Sequence, residues 1–315
     1  PENFLMKLIA AFLKLIRLPN LFFIALTQVL MQYCIYQPLY KDNIPADDTF
    51  NFIFLLLASL MIAAAGYIIN DYFDINIDEV NKPDKMVVDK IINRRWAIAW
   101  HFLLNTLGLL FSILAFPFLH KWYLILANIL CMVLLWFYST NFKRQLLTGN
   151  VVISLLTAWT ILVVFFSKVN FEDAFGGGPV MHQKFFKIAV LYAAFAFIIS
   201  LVREAIKDME DMYGDAQYQC KTMPIVWGVN VTKVYTAVWL LVLIALLIVV
   251  VAYVLQYQWW LAIAYIVPVL IFPLILILSS LKKSISTADF RRLSTFTKLV
   301  MFTGIVSMVF YYFYL

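Results

Sequence analysis

VYTAVWLLVLIALLIVVVAYVL, residues 234–255, runs for twenty-two residues without a charge, a proline or a glycine. A helix needs about 20 mostly apolar residues to cross the hydrocarbon core of a bilayer, so this stretch is a transmembrane helix. The same rule, applied outward in both directions, finds eight more spans: 19–40, 52–70, 96–117, 120–140, 148–167, 186–203, 259–280 and 297–315. The composition of the 315-residue chain agrees. It is 64% hydrophobic and 13% charged, with a mean hydropathy of +0.88, whereas a soluble domain is about half apolar and a quarter charged. A soluble enzyme, a disordered chain and a disulfide-stapled secreted module are excluded. The expected fold class is an all-α integral membrane protein with nine transmembrane helices in one domain, 1–315.

The opening segment, 1–18, has Lys7, Lys14 and Arg17 spaced through it before the first long apolar run. That pattern predicts an amphipathic interfacial helix rather than a cleavable signal. Cys34, Cys131 and Cys220 are far apart and odd in number, and His101, His120 and His182 are as scattered. Zinc, haem and a disulfide framework are therefore not expected.

Charge orients the spans. The N-terminal segment and residues 71–95, 141–147, 203–233 and 281–298 fall on one side and hold 19 of the 24 Lys and Arg. Lys41, Lys121, Lys168, Lys184 and Lys187 make up the other 5. The positive-inside rule puts the richer side in the cytoplasm, with the N-terminus inside and the C-terminus outside.

The acidic residues gather on that richer side. Asp71, Asp74 and Asp78 run D-x-x-D-x-x-x-D, and Asp208, Asp211 and Asp215 repeat the spacing. Offsets of 3 and 7 put three carboxylates on one helical face. Like charges so placed repel and need a cation. Oxygen-only ligands without His or Cys favour Mg²⁺ or Ca²⁺. Mg²⁺ usually takes one or two carboxylates and completes its shell with substrate phosphates. Two facing triads therefore suggest Mg²⁺ ions clamping a diphosphate, with Lys82, Lys85, Arg94, Arg95, Lys143, Arg144, Arg203, Lys207 and Lys221 nearby to hold phosphate charge. The chain also has a coarse internal echo, since each motif follows the second span of a four-span group, spans 1–4 and 5–8. The span 297–315 is appended to these two halves.

The sequence closely resembles the UbiA superfamily of intramembrane prenyltransferases over nearly its whole length. Asn70-Asp71-Tyr72-Phe73-Asp74-Ile75-Asn76-Ile77-Asp78, followed by Asn81-Lys82-Pro83-Asp84-Lys85, looks like the first aspartate motif. Arg203-Glu204-Ala205-Ile206-Lys207-Asp208, continuing through Asp211 to Asp215 and Lys221, looks like the second. Tyr138-Ser139-Thr140-Asn141-Phe142-Lys143-Arg144 and Arg17-Leu18-Pro19-Asn20 resemble two further signatures. Lys85 stands where many relatives have Arg, a swap that keeps charge but loses bidentate binding.

The resemblance implies nine helices in a ring around a lipid-open central cavity with cytoplasmic cap segments. It implies Mg²⁺ held by Asn70, Asp71, Asp74, Asp78, Asp208, Asp211 and Asp215, and a prenyl diphosphate donor. It brings Arg17, Asn20 and Tyr138 to the substrate. Within the family the chain looks most like the branch that adds geranylgeranyl to geranylgeranylglyceryl phosphate; the alternative is aromatic C-prenylation of hydroxybenzoate or dihydroxynaphthoate. Its expected partners are the donor, a lipid or aromatic acceptor and membrane lipids, with no nucleic acid. A cation-coupled transporter is a distant alternative. Transporters place their charges near the bilayer midplane at broken helices, not at span ends beside clustered bases.

Overall fold

The structure is a computed structural model that describes residues 2–81, 86–116, 118–175 and 179–315. Among the described residues stand nine helices long and apolar enough to cross a membrane. In chain order the elements are α1 (Glu2–Leu15), α2 (Leu18–Tyr40), α3 (Asp48–Phe73), the short α4 (Ile75–Asn81), α5 (Arg94–Ala115) and α6 (His120–Thr140). They continue as α7 (Thr148–Lys168), α8 (Val180–Gln217), α9 (Val229–Leu255), α10 (Trp260–Lys283) and α11 (Thr287–Tyr314). Seven of the nine spans fall within about five residues of their sequence bounds.

Two helices are longer than their apolar runs. α8 has 38 residues, about 57 Å at 1.5 Å per residue, against a hydrocarbon core of about 30 Å. Its apolar run stops near Arg203, but the helix continues for another 14 residues, and those carry the second aspartate triad. α11 begins at Thr287 rather than 297. Ser286 and Asp289 form a capping box there, in which the Ser286 hydroxyl accepts from the Asp289 amide at 3.2 Å and the Asp289 carboxylate accepts from the Ser286 amide at 3.0 Å. Two orphan amides of the first turn are thereby satisfied. A hydropathy scan measures the cost of facing lipid, not the tendency to be helical, and so misses both extensions.

The first helix pair is separated by two residues, Ile16 and Arg17. Arg17 takes a left-handed conformation, φ 50°, between α1 and α2, and Pro19 sits in the first turn of α2, where its missing N–H costs nothing. Both α2 and α10 widen into π turns, at Met31–Tyr36 and Ile266–Ile271. Each π turn ends two residues before a proline, Pro38 or Pro273, whose ring clashes with the carbonyl of the preceding turn and takes one bond out of the ladder.

α3 packs along α5 and α6, and α8 packs against α7, α9 and α11. α2 touches α3, α7 and α11. At the end away from the aspartates, Lys168 at the close of α7 pairs with Asp48 at the start of α3 at 2.6 Å, both side chains 5% exposed. Gln32 donates to the same carboxylate at 2.6 Å. Breaking such a buried pair is costly because it strands the remaining charge. The pair ties α2, α3 and α7 at that end, leaving the opposite end to the acidic motifs.

Candidate active site

α3 ends at Phe73, and Asp74, at φ −93° and ψ 0°, forms the turn that separates it from α4. The Asp74 amide donates to the Asn70 carbonyl at 3.0 Å and the Asp78 amide to the Asp74 carbonyl at 2.8 Å. Asp71 is thus in the last turn of α3 and Asp78 in the first turn of α4, on either side of Asp74. Asp208, Asp211 and Asp215 lie on the uninterrupted α8.

Several of these carboxylates have a neutralising partner from another element. Arg17 Nη2 donates to Asp71 Oδ1 at 2.6 Å, and its guanidinium lies 5.3 Å from the centre of the Tyr67 ring. Lys143, from the turn Phe142–Arg144 between α6 and α7, pairs with Asp74. The other oxygen of Asp74 accepts Asn70 Nδ2 at 2.9 Å. Asn150, in the first turn of α7, donates Nδ2 to Asp208 Oδ2 at 2.9 Å. Burial works against the charge on both cations. At Arg17 the Asp71 carboxylate outweighs it and lifts the guanidinium above its ordinary value. At Lys143 burial outweighs Asp74, and the ammonium is held below its ordinary value.

The two motifs meet. Asn81, the last residue of α4, donates Nδ2 to the Asp211 carbonyl at 3.1 Å and accepts the Gly214 amide at 2.9 Å. One amide side chain thus joins the end of the first motif to the backbone of the second. The junction needs glycine, because a Cβ at 214 would collide with the Asn81 side chain. Tyr138 has Asp74 and Asp208 as electrostatic neighbours, one from each motif. Cys220 has Asp215 and Asp74 as neighbours too; burial pushes its thiol up, and both carboxylates add to that.

Among the described residues, no three His, Cys, Asp or Glu side chains are gathered as closely as a metal site requires. The donors nevertheless suit a hard cation. They are all oxygen, and Asn70 Oδ1, beside Asp74, is buried without a hydrogen-bond partner. A buried acceptor left unpaired is costly, and a cation would satisfy it.

A cavity of about 260 Å³ opens between α2, α3, α6, α7, α8 and α11. Its charged lining is Arg17, Arg203, Glu204, Lys207 and Lys298, and Asn20, Tyr67, Asn70 and Tyr138 are among its neutral polar residues. The rest is mainly apolar, with Phe23, Ile24, Leu156, Ile161, Ile305 and Met308 among it.

Of the residues expected to meet substrate, Arg17, Asn20, Tyr138, Arg203 and Lys207 line this cavity; Lys143, paired with Asp74, and the six aspartates do not line it, though Asn70 beside Asp71 and Lys207 beside Asp208 do. Arg144 and Lys221 are exposed on adjacent loops, joined where the Lys221 amide donates to the Arg144 carbonyl at 2.7 Å. Arg94 is exposed, pairs with Asp89 at 2.9 Å and does not line the cavity. Lys82 and Lys85 lie outside the described residues. Sequence reasoning missed Asn150 and Lys298. Lys298 was counted with the loop 281–298, but it lies inside α11 and lines the cavity. The available signal was a lone lysine at i, i+3 spacing to the cavity-facing Met301.

Comparison with known proteins gives a consistent picture. The UbiA prenyltransferase family model matches residues 43–306. A digeranylgeranylglyceryl phosphate synthase of Sulfurisphaera tokodaii is 32% identical over 227 residues, 71% of this chain and 73% of that one. One of the same name from Methanoregula boonei is 33% identical over 178 residues; the match spans 56% of this chain and only 57% of that relative. The solved structure described as giving structural and mechanistic insights into digeranylgeranylglyceryl phosphate synthase in membranes superposes with a TM-score of 0.61. It is 21% identical, over 96% of this chain and 99% of that one. A UbiA homologue from Archaeoglobus fulgidus, bound to DMAPP and Mg²⁺, superposes with a TM-score of 0.56 at 15% identity, over 94% of this chain and 98% of that one. At these identities the structural likeness is one of fold.

Proposed function

The chain belongs to the UbiA prenyltransferase family, and from that premise we propose that it is a Mg²⁺-dependent intramembrane prenyltransferase whose donor is geranylgeranyl diphosphate and whose acceptor is the free hydroxyl of geranylgeranylglyceryl phosphate. The observation that carries this reading is the junction of two aspartate motifs whose chain neighbours Asn70, Glu204 and Lys207 line a largely apolar cavity. The relatives named digeranylgeranylglyceryl phosphate synthase support the acceptor, and the relative bound to DMAPP and Mg²⁺ supports donor class and metal.

In this reading Asn70, Asp71, Asp74, Asp78, Asp208, Asp211 and Asp215 hold Mg²⁺, which when bound supplies electrostatic stabilisation of the departing diphosphate. Lys143 and Arg17, which neutralise Asp74 and Asp71, turn to phosphate oxygens once those carboxylates have another partner. The donor's C1–O bond breaks and the diphosphate leaves with the electron pair. The rings of Tyr67 and Tyr138, which line the cavity, offer π faces to the allylic cation. The apolar walls keep water from it. The glycerol hydroxyl oxygen attacks C1, and a carboxylate or diphosphate oxygen takes its proton. The donor's tail stays in lipid, since at about 0.8 kcal/mol per buried CH₂ a C20 chain is held there by on the order of 10 kcal/mol.

We place the aspartate end at the cytoplasmic face, with α1 lying along it as an interfacial helix and residues 1–315 acting as one domain. The experiment for the metal-bound site is substitution within each motif. Asp74→Ala and Asp211→Ala are each expected to abolish Mg²⁺-dependent diphosphate release, with the double variant scarcely worse than either, because both motifs grip one group. Full, metal-independent activity in either single variant would contradict the assignment.

A further inference from the structure

Three basic side chains that form no ion pair with either aspartate motif stand in the cavity. Arg203, Lys207 and Lys298 line one part of it, the first two from α8 and the third from α11. Lys298 has Arg203, Lys207 and Arg17 as like-charged neighbours and Glu204 as its opposite. Arg17 is already committed to Asp71. Glu204 is held by Arg203 Nη1 at 2.5 Å, with the two side chains 19% and 9% exposed on the arginine and glutamate sides. That leaves Arg203 Nε buried without a hydrogen-bond partner. Among the described residues, Lys207 and Lys298 make no hydrogen bond or ion pair. Three cations thus face one carboxylate outside the two aspartate motifs, with Asp211 beside Lys207, which leaves a surplus of positive charge in a cavity that is otherwise largely apolar.

Such a surplus is costly in a membrane protein unless an anion meets it. α11 contributes no residue to either aspartate motif, and its cavity stripe of Lys298, Met301, Ile305 and Met308 is apolar apart from the lysine. A lysine there has no role in holding the metal. We propose that Arg203, Lys207 and Lys298 form a second anion site, distinct from the diphosphate site, which takes a phosphomonoester head group on a lipid acceptor. A phosphomonoester carries about two negative charges near neutral pH and offers three oxygens to the three cations; a carboxylate carries one charge and offers two. The apolar stripe that continues from Lys298 suits the chain attached to that head group. This rests on the proposed transfer to a lipid phosphate.

The test is equilibrium binding to the full chain in nanodiscs without donor, so that it reads the site independently of turnover. The probes are geranylgeranylglyceryl phosphate, geranylgeranylglycerol and inorganic phosphate. The wild type is expected to bind the phosphorylated lipid at least about tenfold more tightly than the alcohol, as a desolvated charge-assisted contact would require. Lys298→Met should remove most of that difference, Lys298→Arg should restore much of it, and geranylgeranyl diphosphate affinity should change by no more than about twofold in either. Retained donor affinity also shows that the variants are folded. Equal loss of donor affinity would assign the lysine to the diphosphate site and overturn the proposal. Equal binding of the two lipids, or binding of inorganic phosphate as tight as that of the phosphorylated lipid, would overturn it too. If the wild type shows the expected binding pattern but transfers no prenyl group, the proposed reaction fails while the anion site stands.

Discussion

Lys143 is held by two opposing forces. It is largely buried, with a side chain 10% exposed, and its ammonium is paired with Asp74. In the proposed reaction it leaves that carboxylate for the diphosphate, so its removal should be felt in donor binding or in ionisation rather than at the acceptor. Lys143→Ala is expected to lower kcat/KM for the donor by about 10²-fold, in line with losing one preorganised cation at developing charge. Lys143→Arg should recover only part, because the planar guanidinium does not present its charge as a compact ammonium does. Steady-state kinetics with varied donor checks this; unchanged kinetics in Lys143→Ala would leave the lysine as a marker of topology only. At this scale residue type and spacing singled out the six aspartates, and the structure joins the ends of their two motifs through Asn81. The sequence was silent on Asn150, whose bond to Asp208 depends on how α7 and α8 are apposed and leaves no trace in the spacing of either motif.

α4 and α8 are joined by a side chain whose position in sequence says nothing of its task. Asn81 closes two bonds to the backbone of α8 at Asp211 and Gly214, and so fixes the distance between the two aspartate motifs. Asn81→Ala should leave every proposed metal ligand in place yet loosen their separation. The expected result is a rise in the Mg²⁺ concentration needed for half-maximal activity and a fall in kcat of about 10- to 100-fold, as a misplacement of about 1 Å costs. A Mg²⁺ titration of activity reads both; a variant with the wild-type titration curve would show that the junction has no part in positioning. Nine spans were readable because crossing a bilayer demands long apolar runs. The extended ends of α8 and α11 were not, because they are held by the cap at Ser286 and by the Arg291–Glu210 pair that joins the two extensions at 3.0 Å. Those extensions carry the second aspartate motif and the cavity lysine.

For the whole molecule, the buried Lys168–Asp48 pair marks one end and the aspartate motifs the other. Moving Arg203, Lys207 and Lys298 from the loops into the cavity reduces the charge asymmetry of the connections but does not reverse it, so the proposed cytoplasmic placement of the aspartate end remains consistent with the positive-inside rule. A reporter fused after Leu315 should therefore score as non-cytoplasmic, and a cytoplasmic signal would invert the orientation. The central claim is the transfer itself. The most direct measurement is mass spectrometry of the lipid formed when the full chain receives geranylgeranyl diphosphate, Mg²⁺ and equal amounts of geranylgeranylglyceryl phosphate and hydroxybenzoate. The account predicts a digeranylgeranylglyceryl phosphate product that disappears when the metal is chelated. A prenylated aromatic alone would contradict the acceptor, and no diphosphate release with either acceptor would contradict the reaction.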